Sequence, residues 1–220
     1  MHTVADVDND ADRLRQEQGK PPRDKQAQLV KKGKRRKTGP DGQVSHQDVP
    51  YLGYKSHISL NAETGLITTI EPAGGSAADN EQFPKLLDHD EQGSIEAEIY
   101  AGGKAYDDTD QHYRLWHKGK HAALQLSHYR TAANNAHWES WQKIQGSPEY
   151  QAGLAERYKV ERKFGEAKRW HGFGCRYLGL LRYGLQAHLT ALALNLKRIV
   201  ILLTGARFRP GAHKAELIAS

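Results

Sequence analysis

The sequence predicts an α/β chain built on a mixed sheet flanked by helices, and three observations carry that prediction. A short alternating segment at Tyr54–Leu60 is followed, across turn residues, by a second β-rich segment at Leu66–Ile70. Two further short apolar segments, Ile95–Ala101 and Ala122–Leu126, are separated by a stretch of helical periodicity. From Ser147 onward the pattern is helical almost throughout. Hairpin, helix, strand, helix, strand and then long helices is the order of a layered α/β domain.

Each element has its own signal. Asn61–Gly65 supplies the hairpin turn, and Pro72 with Gly74 and Gly75 ends the second strand. Asp79–Leu87 reads as a short helix with Phe83, Leu86 and Leu87 facing inward, Pro84 limiting its start. Ile95–Ala101 runs into Gly102 and Gly103. Asp107 or Asp108 caps a helix that continues through Trp116 and stops at Gly119. Asn134–Gln145 places Trp138, Trp141 and Ile144 on one helical face.

The stretch from Ser147 to Gly172 reads as one helix. Ser147 is its N-cap, Pro148 suits the first turn, and Glu149 complements the positive end of the dipole. Lys168 and Arg169 fall in the last turn and Gly172 follows. On a regular helix Glu161 lies about 40° and Lys168 about 20° around the axis from Arg157. One acid is thus held between two bases, and Tyr150, Leu154 and Tyr158 form an apolar row. An exposed salt-bridge stripe accounts for that spacing as well as a functional site does. Leu178–Leu203 is long and apolar, but Arg182, His188, Lys197 and Arg198 interrupt it, so a mostly buried core helix is expected rather than a membrane span.

Composition sets the outer limits. A chain of 220 residues is the size of one domain, and a net charge of +6 favours a polyanionic partner, nucleic acid before membrane. The single Cys175 excludes an internal disulfide and suits a reducing cytoplasm; no charged-then-apolar leader opens the chain, so secretion is not expected. Residues 1–49 read as a polar, charge-segregated flexible segment and residues 205–220 as a tail. Within the first, Asp6, Asp8, Asp10 and Glu17 stand at calcium-loop spacings, but Ala11 replaces the turn glycine and Arg13 an apolar position, so a solvated acidic segment is expected. Lys31, Lys32, Lys34, Arg35, Arg36 and Lys37 form a basic run able to lie along phosphates or to stay solvated. His112, His117, His121, His128 and His137 lack zinc-ligand spacing with cysteine, and Gly172-Phe173-Gly174 has neither the strand nor the Lys-Ser/Thr of a phosphate loop.

The segment ERYKVERKFGEAKRWHGFGCRYLGL resembles the last catalytic block of bacterial insertion-sequence transposases of the DDE class, in which Tyr, Arg, Glu and Lys recur at fixed spacings. Arg157, Glu161 and Lys168 fall on them, with Leu154 in place of the Tyr. Arg176–Arg198 is similar to that family's closing helix, and Gly53–Phe83 to its central strand pair. The resemblance implies an RNase H-like catalytic domain over residues 50–204, incomplete at the N-terminus. It also implies DNA as partner, specifically mobile-element ends, and a cytoplasmic, nucleoid-associated location with no membrane role. A homodimer or a complex with a full-length transposase is a further implied partner.

The chemistry implied is strand cleavage and transfer with two Mg²⁺ ions held by two Asp and one Glu. Glu161 matches the metal-ligating Glu, and Arg157 and Lys168 would orient it or hold phosphates. In the stretch Tyr100–Asp107, however, Gly103 stands where the family carries its second Asp, and Asp107 and Asp108 lie about a helical turn further on. His2–Asp6 looks like the tail of the first block, which places the first Asp just ahead of Met1. The resemblance therefore points to a truncated, catalytically impaired copy, with a non-catalytic DNA-binding remnant or a partner of a full-length transposase as the alternative. Trp116, Trp138 and Trp141 fit either base stacking or, more simply, a core under two helices.

Overall fold

The structure is a computed structural model that describes residues 2–6, 15, 18–38 and 42–206. Its first sheet is antiparallel and centred on the long strand β3 (Val44–Leu60). The N-terminal half of β3 pairs with β2 (Gln28–Thr38), with a bulge between Lys31 and Lys34. Its C-terminal half is flanked by β1 (His2–Asp6) on one side and β4 (Ile67–Gly74) on the other. The expected hairpin is the β3–β4 pair, closed by Asn61 Oδ1, which accepts from the N–H groups of Glu63 and Thr64. The flexible segment expected up to Val49 is instead largely strand where it is described. Alternating apolar residues are absent from β2, and its ladder is held by main-chain pairing with β3. The acidic run from Asp8 to Asp12, with Glu17, lies outside the described residues, as does the tail beyond 206.

A second, two-stranded parallel sheet joins β5 (Ile99–Gly102) to β6 (His121–Leu124) through a 3₁₀ turn at Lys104–Tyr106 and α2 (Thr109–His117). Asp108 caps α2 by accepting from Asp110 N–H at 2.9 Å. Helix α1 (Asp79–Gln92) bridges the two sheets. Its Phe83 and Leu87 pack with Tyr100, Tyr106, Leu115 and Leu124, while its buried Asp90 accepts from Ser59 and Thr69 of the hairpin. A short turn of helix, α3 (His128–Thr131), and α4 (Trp138–Gly146) follow β6.

The single helix expected over 147–172 is two. Ser147 does cap it, accepting from Tyr150 N–H, and Pro148 opens α5 (Pro148–Glu156). The helix then tightens around Arg157, where Arg157 N–H reaches Leu154 O and Val160 N–H reaches Arg157 O, and α6 (Tyr158–Trp170) takes a new course. The two halves serve different cores. Tyr150 and Leu154 of α5 pack with Ala123 and Leu126 against the parallel pair. Phe164 and Ala167 of α6 pack with Tyr54, Ile58, Phe173 and Tyr183 against the antiparallel sheet.

Helix α7 (Leu180–Thr204) closes the fold across β3 and β4. Tyr183, Ala187, Ala191 and Leu194 are buried there, with Tyr183 stacked on Tyr54 at 5.1 Å and sharing a 2.7 Å hydrogen bond with Ser56. Asn195 reaches sideways to Ile67 of β4, its Nδ2 donating to the carbonyl at 2.7 Å and its Oδ1 accepting from the N–H at 2.8 Å. Buried Asp24 accepts from Tyr54 Oη at 2.6 Å and from Gly179 N–H at 2.8 Å, which ties the N-terminal region to the start of this helix. The expectation of a mostly buried helix fails here. Only 17% of its most apolar window is buried, and Leu181, Leu185, Leu189, Leu192, Leu196 and Leu203 are exposed. By length and composition alone α7 could cross a membrane. Antiparallel hairpin, parallel pair and covering helices together form an α/β arrangement of the RNase H-like kind, closed by a long C-terminal helix.

Candidate active site and its family

The C-terminal end of β5 turns at Gly103, and the break between α5 and α6 brings Arg157 alongside it. A Cβ added at Gly103 would stand 3.8 Å from Arg157 Nη1, ordinary contact with no clash. The same Nη1 lies 3.1 Å from Glu161 Oε1, an i,i+4 pair in which both side chains are about a third or more exposed. Gly103, Arg157 and Glu161 therefore meet at one sheet end. Lys168 sits almost two turns further along α6, exposed, and forms no ion pair among the described residues. The stripe of three charges expected on one helix is thus a pair and a separate base.

Asp107 and Asp108 do not reach this place. The Asp107 side chain has no exposed surface and is bound by His112 Nε2 at 3.0 Å, Ser127 N–H at 2.7 Å and Arg130 Nε at 2.8 Å. Burial alone would raise its pKa; the hydrogen bonds from His112, Ser127 and Arg130 outweigh burial and hold the carboxyl below its usual range. Trp141 covers this cluster, with the Arg130 guanidinium 4.5 Å from its ring centroid and the His112 ring at 5.0 Å. Asp108 is committed to the α2 cap. Sequence reasoning missed Asp107 as an anchor, although Asp followed by His at i+5 on a capped helix was visible.

The remaining aromatics divide. Trp141 packs as expected, but Trp116 is 68% exposed beside Tyr113 and His117, so it does not fill a core; Trp138 is also exposed. In the basic run, Arg36 is exposed on β2, and the backbone places the other five bases along the same strand. A second basic feature is a groove between the β3–β4 turn, α6 and α7. It is lined by Lys159, Arg162, Lys163, Lys197 and Arg198, with Glu63 and Glu166 as its acids. Glu166 loses some solvation there, which raises its pKa, but hydrogen bonding to Lys197 and the charge of Lys163 bring it below the usual range. No sequence signal singled out this groove, because its bases come from two helices far apart in the chain.

A divalent-metal site of the kind the RNase H-like arrangement implies needs several oxygen donors converging on one point. The residues at this sheet end do not supply them. Gly103 has no side chain, Asp107 is consumed, and Glu161 faces an arginine. Among the described residues no three His, Cys, Asp or Glu side chains group closely enough to hold a metal ion.

Comparison with known proteins gives one match. The family model for the transposase DDE domain covers residues 2–196. No curated protein and no solved structure matches the chain. Domains of this family generally work with divalent metal ions, typically Mg²⁺, on DNA. With most of its length matched, hairpin through closing helix, the chain belongs to the transposase DDE domain family.

Proposed function

We propose that this transposase-derived protein binds DNA, specifically the ends of a mobile element, but is impaired in strand cleavage and transfer. The observation that carries the reading is Gly103, set beside an Arg157–Glu161 pair where an acid would be needed. Glu161 remains the candidate catalytic and metal-ligating acid, with Arg157 holding it and Lys168 placed to meet a phosphate. Without a second carboxylate at position 103 the oxygen donors do not converge, and the residues present assemble no cleavage centre. The basic strand carrying Lys31, Lys32, Lys34, Arg35, Arg36 and Lys37 and the α6–α7 groove supply the DNA contacts, by phosphate neutralisation rather than base reading. A working location at the cytoplasmic nucleoid follows from that partner. The same glycine favours a second reading, a non-catalytic partner of a full-length transposase.

The test pairs binding with cleavage. Incubated with terminal-repeat DNA and Mg²⁺ or Mn²⁺, the protein is expected to retain DNA and to nick it no faster than its Glu161→Gln variant. Nicking clearly above that control would refute the impairment. Absence of retention at low salt would remove the DNA-binding reading. Gly103→Asp, which fits without clash, is the arm that asks whether one carboxylate is sufficient to restore cleavage.

A further inference from the structure

The exposed side of α7 carries a regular pattern that the fold does not use. Leu185, Leu189, Leu192, Leu196, Ile199 and Leu203 follow one another at spacings of four, three, four, three and four residues, and all are exposed. That is a 3.5-residue repeat, the period of a seam that packs against another helix by knobs into holes. The opposite side of the same helix, through Tyr183, Gly184, Ala187, Ala191 and Leu194, is already buried on the sheet.

We propose that this seam is a homodimer interface, in which α7 of one copy pairs antiparallel with α7 of a second. Four features select that occupant. With Leu181, Val200 and Leu202, the seam exposes on the order of 800 Å² per copy, the area each partner contributes to an interface of standard size. The positions bordering it, Gln186, Ala193 and Val200 on one side and His188, Asn195 and Leu202 on the other, include no Lys, Arg, Asp or Glu, so two copies meet without like-charge repulsion. A helix lying on a membrane surface carries Lys and Arg at that border, whereas Lys197 and Arg198 are turned back to Glu166 and to Thr64 O of their own chain. Residues 207–220 offer only Phe208, Leu217 and Ile218 as large apolar groups, too few to cover nine.

The orientation also follows from charge. An antiparallel pairing sets Leu185 against Leu203, Leu189 against Ile199 and Leu192 against Leu196, using all six seam residues twice. It brings Arg182 of each copy to the C-terminal carbonyl end of the other helix, where a cation is favoured. A parallel pairing would instead face Arg182 with Arg182.

The measurement is the solution mass of the full chain by light scattering and sedimentation over 1–100 µM. A dimer of about 49 kDa, twice the 24.7 kDa chain, is expected. Leu192→Glu with Leu196→Glu, both at exposed positions, is expected to give a monomer with an unchanged circular dichroism spectrum. Spin labels at Thr204 are expected about 30 Å apart, twenty residues along the paired helices, where a parallel pair would hold them much closer. A monomer across the whole range overturns the proposal. So does a dimer that the double substitution leaves intact, a dimer that forms only after residues 207–220 are deleted, or a monomer that binds lipid vesicles through this face. Should the double variant misfold, the label distance in the otherwise unchanged chain still decides between the two pairings and a monomer.

Discussion

Asp107 is bound from three directions, by a ring nitrogen, a main-chain N–H and a guanidinium, with no part of its side chain in solvent. Its partner Arg130 is itself mostly buried. Removing the charge leaves that guanidinium uncompensated, and breaking a buried pair in this way costs about 3–5 kcal/mol. Asp107→Asn is expected to show that loss in urea unfolding at pH 7. The pH dependence has a definite sign. A carboxyl whose folded pKa is depressed stabilises the fold fully above its unfolded value of about 3.9, and that contribution disappears as pH falls through the lower, folded value. Urea midpoints measured from pH 6 down to pH 2 should therefore fall below about pH 4, and fall less steeply in Asp107→Asn. Asp24, where hydrogen bonds from Tyr54, Gly179, Gln26 and Ala27 outweigh burial, adds to the same acid sensitivity. By contrast the Arg157–Glu161 pair is exposed enough that its own worth is about 0.3–0.5 kcal/mol. Glu161→Gln is accordingly a clean probe of chemistry, expected to leave stability almost unchanged.

Two helical glycines show how packing overrides helix propensity. Replacing a mid-helix glycine by alanine gains about 1 kcal/mol when nothing is in the way. At Gly165 of α6 an added Cβ meets no atom within 4 Å, so Gly165→Ala is expected to raise the urea midpoint by that amount. At Gly153 of α5 the Cβ would fall 2.4 Å from Ala123 Cβ and 2.8 Å from Ile99 Cγ2, both on the parallel pair. Overpacking of this kind costs about 1–3 kcal/mol, so Gly153→Ala is expected to destabilise. The close approach at Gly153 also explains why α5 and α6 are separate. Residues from Pro148 to Trp170 keep an unbroken helical pattern, and the two cores they serve are set by tertiary contacts that no local pattern encodes. The β3–β4 hairpin and the Asp108 cap were legible because alternation, turn residues and capping chemistry act over a few residues. Strand β2 was not, since its pairing with β3 is main-chain and its side chains read as a solvated charge run. Helix α7 misled in another way: an apolar pattern almost all round reads as burial, and exposure of one side is decided by what the rest of the chain leaves uncovered.

At the scale of the molecule the net charge of +6 becomes a prediction about salt. If the basic strand and the α6–α7 groove both lie along phosphates, log affinity for DNA falls linearly with log salt, with a slope of about −0.9 per phosphate neutralised. Neutral substitutions at Lys31 and Lys32, and separately at Lys159 and Arg162, are each expected to weaken binding alike on all sequences. Each is also expected to flatten that slope by roughly one for every phosphate no longer neutralised. The meeting of Gly103 with Glu161 was foreshadowed only by the family resemblance; composition and periodicity gave no hint that residues 58 apart in sequence share a sheet end. The outer edge of β4 points to one more property of the whole. A sheet margin with free main-chain groups invites strands from neighbouring molecules, and here the Asn195 amide occupies both groups of Ile67 as a neighbouring strand would. Asn195→Leu should uncover that margin, and the sign would be growth of thioflavin-positive fibrils on storage at temperatures where the parent protein stays clear.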